Sequence, residues 1–363
     1  EYLTGERYHL GIGATVITMG NRNLAWQRTW QQNYGVDMTL WKGRIDISAD
    51  YYIKTSKDVL TSVTLAPSLG FSSYMDNLGE VENRGYELSL RATLIRNQAK
   101  KIFWSINGSA IHNKNKLLKI SNALKAYNEI QDKEADANKN DFSTSEWENM
   151  TSINRPRVRY VEGASMNSIW VNHSLGIDPA TGNEIFLKRN GERTFFWNAN
   201  DKVAVGDTEP KFRGGITSGL TWKDWSVNLG FTYEFGAYTY NQTLVDRIEN
   251  VNLLHNADRR AAKDRWRKPG DIAKYKSIAF SGRTTELSSR FVQKKNEIAF
   301  SSISIGYHFD PKKFGFLKQC KIAGINLTGS MQDLGRISSV KQERGTDYPF
   351  ARTVNLSMSV LFN

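Results

Sequence analysis

Side chains alternate between apolar and polar with period two through much of this chain, in runs longer than most soluble sheets use. From Arg28 to Leu40 the even positions read Trp30, Gln32, Tyr34, Val36, Met38 and Leu40, against Thr29, Gln31, Asn33, Gly35, Asp37 and Thr39. Successive strand residues point to opposite faces, so the run predicts a strand with one apolar and one polar face. The pattern restarts after Trp41-Lys42-Gly43, with Ile45, Ile47, Ala49, Tyr51 and Ile53 on one side, which makes a hairpin. Three further hairpins follow. Tyr86, Leu88, Leu90, Ala92 and Leu94 precede Ile102, Trp104, Ile106, Gly108 and Ala110; Phe212 to Phe235 turns at Lys223-Asp224; Ile303, Ile305, Tyr307 and Phe309 return through Ala323, Ile325 and Leu327. Val354, Leu356, Met358, Val360 and Phe362 line the last strand.

The count is about nine long strands of roughly 10–13 residues, where globular strands run about 5–6 and tilted bilayer-crossing strands about 9–11. All seven prolines (Pro67, Pro156, Pro179, Pro210, Pro269, Pro311 and Pro349) fall in the expected turns and loops, as a ladder that needs every N–H requires. The expected connections alternate between short turns, near 41–44, 96–101, 222–225 and 310–319, and long loops, near 56–83, 114–210, 238–296 and 334–350. A sandwich has no reason to put every long loop at one end. An outer-membrane barrel does, with short periplasmic turns and long extracellular loops. If the last strand runs into the periplasm, every short turn falls on that side.

Aromatics fit the same frame. Trp30, Tyr51, Tyr86, Tyr233 and Phe235 fall near one set of strand ends, and Trp104, Trp222, Trp225, Tyr307, Phe309 and Phe362 near the other, as two interfacial girdles would place them. No apolar run approaches the roughly 18–20 residues of a spanning helix. The expected class is all-β: a transmembrane antiparallel β-barrel.

Several short stretches resemble a known family. Gly20-Asn21-Arg22-Asn23-Leu24-Ala25-Trp26-Gln27 is similar to the "GNPxLKWE" entry into a barrel strand of SusC/RagA-like TonB-dependent transporters, with Arg22 in place of Pro and Gln27 in place of Glu. Asp50-Tyr51-Tyr52 closes the next strand as in that family. Asn77 to Leu88 resembles "NxGxxxNxGxE", Gly176 to Gly182 "GIDPxTG", Gly206 to Gly215 "GDxxPKFxGG", and Tyr348 to Thr353 "YPxxRT". Asn363 follows the terminal aromatic Phe362. Order and spacing run from about residue 20 to the C-terminus.

The resemblance implies a barrel of about twenty-two strands with a plugged lumen. On that reading residues 1–363 are the C-terminal part of one barrel domain, with the plug, the TonB-contacting segment and the leader lying outside this sequence. It further implies outer-membrane localisation and active import of a large oligosaccharide or peptide, with a SusD-like surface lipoprotein and TonB as partners. A passive porin or a surface adhesin is the rival expectation.

No catalytic function or cofactor is expected. His9, His112, His173, His255 and His308 are scattered, Cys320 is the single cysteine, and no HExxH, GxSxG or P-loop appears. Asp178 in the GIDPATG loop reads as an Asx turn, with calcium binding as the less favoured alternative. Asp37, Asp46, Asp50, Glu87 and Arg91 read as solvated lumen residues. The loop aromatics Trp147, Trp170 and Trp197 are candidate substrate contacts, against the alternative of packing within the loops. The net charge of +12 is concentrated outside the strands, and Arg259, Arg260, Lys263, Arg265, Arg267 and Lys268 crowd one long loop, which reads as plain solvated surface, with contact to lipid phosphates or an acidic partner as the less favoured alternative. Nucleic acid is not expected, because no ordered reading element accompanies the charge.

Overall fold

A computed structural model of the chain describes residues 2–8, 11–16, 19–64, 70–71, 73–138, 156–252, 254, 258–280, 285–341 and 352–362. Among the described residues, one antiparallel sheet of nine strands dominates. In chain order these are β1 (Arg28–Leu40), β2 (Ile45–Lys57), β3 (Gly79–Asn97), β4 (Ile102–Ile120), β5 (Phe212–Trp222), β6 (Trp225–Tyr240), β7 (Val292–Phe309), β8 (Ile322–Ser338) and β9 (Val354–Phe362). Each strand pairs with its neighbours in sequence, which is the meander of an up-and-down barrel wall.

The pairing register converts the alternation into rows. One row crosses the whole sheet through Leu40, Ile45, Ala92, Ile106, Ser218, Leu229, Ile303, Met331 and Val354. The next row along β1 to β8, on the opposite face, reads Thr39, Asp46, Arg91, Asn107, Thr217, Gly230, Ser302 and Gln332. No described element covers the apolar face, and large side chains on it stand open, including Met38, Leu88, Leu90, Ile216, Ile305 and Leu356. The seven large aliphatic side chains of the first row alone would forgo on the order of 10 kcal/mol if that face met water. Acyl chains remove the penalty, so this is the lipid-facing side.

Aromatic rows bound the apolar band. At one edge Tyr34, Tyr51, Tyr86 and His112 are successive cross-strand partners, with Phe212 packed 5.6 Å from the His112 ring. At the other, Trp222, Trp225 and Tyr307 pair in turn, with Trp225 and Tyr307 rings 4.8 Å apart. Trp225 and Phe235 lie ten positions apart on β6. That is roughly 34 Å along a strand and about 25 Å along the membrane normal at a tilt of about 40°. Tyr233 also fills a gap: Gly214 has no side chain, and the Tyr233 hydroxyl lies across it to donate to the Ser109 carbonyl at 2.9 Å.

Strand ends depart from expectation. The connections run 41–44, 98–101, 223–224 and 310–321 at one end and 58–78, 121–211, 241–291 and 339–353 at the other. β3 and β4 reach 19 residues each, longer than the alternation suggests. Their upper parts rise beyond the aromatic row, where Val81, Leu117 and Ile120, on the side of the polar face, join a buried cluster. A β-bulge between Thr93 and Ile95 puts Ile95, not Leu94, opposite Trp104. Of the seven prolines, Pro156, Pro179, Pro210, Pro269 and Pro311 lie outside strands, and Pro67 and Pro349 lie outside the described residues.

Candidate functional site

Two surfaces can meet a passing ligand: the polar face of the sheet and the layer built from the long connections. On the polar face Gly35, Asp50, Glu87, Ile111, Arg213, Glu234, Glu297 and Ser338 share one row. Asp46, Asp50, Glu87 and Arg91 thus lie where a lumen lining requires. Charges here are locally paired: Lys295 with Glu234, Arg336 with Glu297 at 3.4 Å, and Arg213 with Glu209 at 3.8 Å. Arg213, Glu234 and Glu297 line a concavity of about 490 Å³ floored by Gly214 and Gly215.

The loop layer holds the buried cores of the described residues. A four-stranded sheet, in the order Arg193–Thr194, Glu184–Leu187, Ser168–Ile177, Lys202–Asp207, packs Ile169, Val171 and Phe186 against Trp197 and Leu287, on top of Tyr238, Tyr240 and Val292. A helix, α1 (Asn122–Asn138), begins where the Ser121 hydroxyl accepts from the Leu124 amide, a side-chain N-cap. Leu124, Asn128 and Asp132 recur at four-residue spacing, so one helical face is buried. Asn128 donates to the Tyr160 carbonyl at 2.7 Å and accepts from its amide at 3.2 Å, which holds the connection to the helix.

Ion pairs lock these pieces. Asp132 takes both oxygens to Arg159 at 2.6 Å and accepts from Lys202 at 3.2 Å. Arg159 lies over the Trp170 ring and Lys202 over the Trp197 ring, 5.9 and 5.6 Å from the centroids. A second knot joins the two longest connections. Arg290 donates to Glu184 at 2.7 Å, to Glu249 at 2.8 Å and to the Lys274 carbonyl at 2.6 Å. Burial alone would raise the Glu184 carboxyl, but the charge and hydrogen bond of Arg290 outweigh it and hold it below the usual carboxylate range. Burial likewise opposes the Arg290 charge, and the two carboxylates reverse that and raise its pKa.

Two of the three candidate tryptophans, Trp170 and Trp197, lie under the cations that pair with Asp132. Trp197 is 4% exposed and donates from Nε1 to the Leu287 carbonyl at 3.0 Å; Trp170 is 8% exposed. Trp147 lies outside the described residues. Asp178 forms an Asx turn: its oxygens accept from the Ala180 amide at 3.2 Å and the Thr181 hydroxyl at 2.6 Å, and these bonds lower its pKa. Among the described residues no three His, Cys, Asp or Glu side chains group as metal ligands.

Sequence reasoning missed Trp266, which crosses the GIDPATG turn. Its Nε1 donates to the Pro179 carbonyl at 2.8 Å, and its ring lies where a Cβ on Gly182 (φ 74°) would fall. The basic loop also differs from expectation. Arg265 is buried and donates to the carbonyls of Ala261 at 2.9 Å, Lys276 at 3.0 Å and Glu249 at 3.0 Å, so it builds the loop instead of charging its surface. Arg260 is paired with Asp258.

Residues 2–253 match the family described as "TonB dependent receptor-like, beta-barrel". The chain belongs to that family. Among curated relatives, the TonB-dependent receptor P39 of Formosa agariphila is 28% identical over 90% of this chain and 34% of its own length. The TonB-dependent receptor SusC of Bacteroides thetaiotaomicron is 25% identical over 94% of this chain and 32% of its own. The structure of the RagAB peptide importer in its closed-closed state covers 99% of this chain at a TM-score of 0.73 and 18% identity, and the open-open state 100% at 0.71 and 19%, likenesses of fold. The chain spans about a third of the length of the curated relatives it matches. This TonB-dependent receptor barrel is SusC/RagA-like, and its place is the bacterial outer membrane. Its family is one of receptors and transporters, not of enzymes.

Proposed function

We propose that this chain supplies part of the barrel wall and surface loops of an energy-coupled importer of a large nutrient, glycan or peptide. The observation that carries it is the pairing of a lipid-facing row with a polar row across all but the last of the strands, together with a packed, ion-locked loop layer at the end of the long connections. Such a wall, continued by strands outside this chain, encloses a polar path too wide to leave open, so a plug and an external energy source are part of the proposal. The loop layer is taken as extracellular, and a SusD-like lipoprotein as its cap. TonB acts through a segment outside this chain.

Ligand contact is assigned to the loop layer and the polar row beneath it. Trp170 and Trp197 act there by shaping the layer from within; direct stacking on a ligand would require their packing to open. Trp147 remains a proposed contact.

The test uses cells producing the intact receptor, with and without TonB, offered labelled oligosaccharides and peptides of a size that porins exclude. Accumulation that needs both the receptor and TonB supports import. Accumulation that needs the receptor but persists without TonB overturns energy coupling and favours a passive pore.

A further inference from the structure

The four short turns, 41–44, 98–101, 223–224 and 310–321, hold nine Lys or Arg and two Asp, a net +7 of the chain's +12. The four long connections hold 25 basic and 24 acidic residues and are almost neutral. The connection 241–291 is itself +5, but 121–211 at −3 and 58–78 at −2 offset it, so the rim of short turns is the end of the sheet that carries most of the net charge. All nine cations, Lys42, Arg44, Lys100, Lys101, Lys223, Lys312, Lys313, Lys318 and Lys321, are exposed.

The backbone adds a second, independent observation. Each turn places one lysine in the left-handed region: Lys42 at φ 56°, Lys101 at 51°, Lys223 at 55° and Lys321 at 55°. Glycine and asparagine occupy that region with less strain. Four of four turns thus carry a charge where local geometry favours a neutral residue. The turns also touch. The Lys223 amide donates to the Lys101 carbonyl at 2.8 Å, the His308 amide to the Asp224 carbonyl at 2.9 Å, and Lys313 pairs with Asp224.

Aromatic and apolar surface lies beside the collar on the lipid side. Lys223 sits 5.3 Å over the Trp222 ring, and Trp225, Tyr307, Phe309, Leu327 and Leu356 line a groove of about 450 Å³ on the apolar face. We propose that the rim of short turns binds anionic phospholipid, with headgroup phosphates on the turn lysines and an acyl chain in that groove. Polybasic segments at a membrane surface recognise anionic lipid in this way, and an aromatic row holds the same depth. An acidic polypeptide would match the charge but has no use for the apolar groove. The inference takes from the proposed function only which leaflet the turns face, the periplasmic one.

The experiment compares the intact receptor with a variant carrying Lys42→Asn, Lys101→Asn, Lys223→Asn and Lys321→Asn. Both are placed in nanodiscs of phosphatidylethanolamine with or without phosphatidylglycerol, and retained lipids are counted by native mass spectrometry after mild extraction. The wild type is expected to retain phosphatidylglycerol preferentially, and the variant to lose that preference by about tenfold or more. Because Asn suits the left-handed positions, its Tm in neutral detergent should be unchanged or higher. The pairs Lys42→Asn with Lys101→Asn and Lys223→Asn with Lys321→Asn, each expected to lose part of the preference, cover a failure of the fourfold variant to assemble. A control with Lys263→Asn and Lys268→Asn in the long loop should keep it. Equal retention by wild type and fourfold variant, a preference that follows Lys263 and Lys268, or cross-linking of the turns to an acidic periplasmic polypeptide with no lipid preference would each overturn the assignment. None of these outcomes depends on whether import needs TonB.

Discussion

Arg290 reaches Glu184 at 2.7 Å across 106 residues of sequence, tying the loop-side start of β7 to the small sheet of the loop layer. The same guanidinium holds Glu249, so removing it strands two buried carboxylates. Arg290→Met should destabilise the layer by about 3–5 kcal/mol, the cost of breaking a buried pair from one side. Hydrogen exchange in the intact receptor should show faster exchange in 168–187 and 244–251, with the membrane strands unaffected. Equal protection in both segments would show that the knot does not hold the loops.

The same pair gives a pH dependence of known sign. The Glu184 carboxyl is depressed in the folded state relative to its ordinary value of 4.5. Its stabilisation is therefore present above 4.5 and is lost as pH falls through the folded value. Protection of 168–187 should be flat from neutral pH down to about 5, then fall on further acidification. In Glu184→Gln this acid-dependent loss should shrink.

Trp197 fills the loop core and caps the Leu287 carbonyl with its indole N–H. Trp197→Ala should cost about 3–5 kcal/mol. Trp197→Phe keeps most of the volume and should cost about 1–3 kcal/mol, chiefly through the unpaired carbonyl. Thermal unfolding of the loop layer, followed by near-ultraviolet dichroism, separates the two. If ligand affinity drops in Trp197→Phe while the unfolding midpoint stays put, the ring contacts ligand directly.

The wall was legible because lipid and lumen impose opposite chemistry on alternate residues, so Ile303, Ser304 and Ile305 disclose their faces one by one. The short turns were legible for the same reason, since alternation stops at Lys42 and at Lys223. Above the aromatic row neither solvent repeats, and the signal goes. Val81 and Leu117 fall within the expected long loops but extend β3 and β4 and are core. Arg265 looks like surface charge until its carbonyl partners, up to 17 residues away, are folded around it. Trp266 gave no sign that it docks on the Pro179 turn, because that contact spans 87 residues and has no periodicity.

Gly214 offers a local test of the outer aromatic row. A Cβ there would fall 1.8 Å from the Ser109 carbonyl oxygen and 2.8 Å from the Tyr233 hydroxyl. Gly214→Ala should displace Tyr233, break its bond to Ser109 and destabilise the β4–β5–β6 region by about 1–3 kcal/mol, measured as a lower urea midpoint for unfolding from bilayers. Tyr233→Phe should cost less, because only the hydrogen bond is lost.

The apolar face of the sheet meets lipid while the polar face meets water. This division is tested by spin-labelling single cysteines at Ser302, Ile303, Ser304 and Ile305 of the intact receptor in bilayers, with the exposed Cys320 replaced by Ser. Oxygen, which partitions into acyl chains, should relax the labels at 303 and 305 most, and a water-soluble nickel chelate those at 302 and 304. Labels at 303 and 305 shielded from both reagents, as in the core of a soluble sandwich, or an inverted alternation, would contradict it.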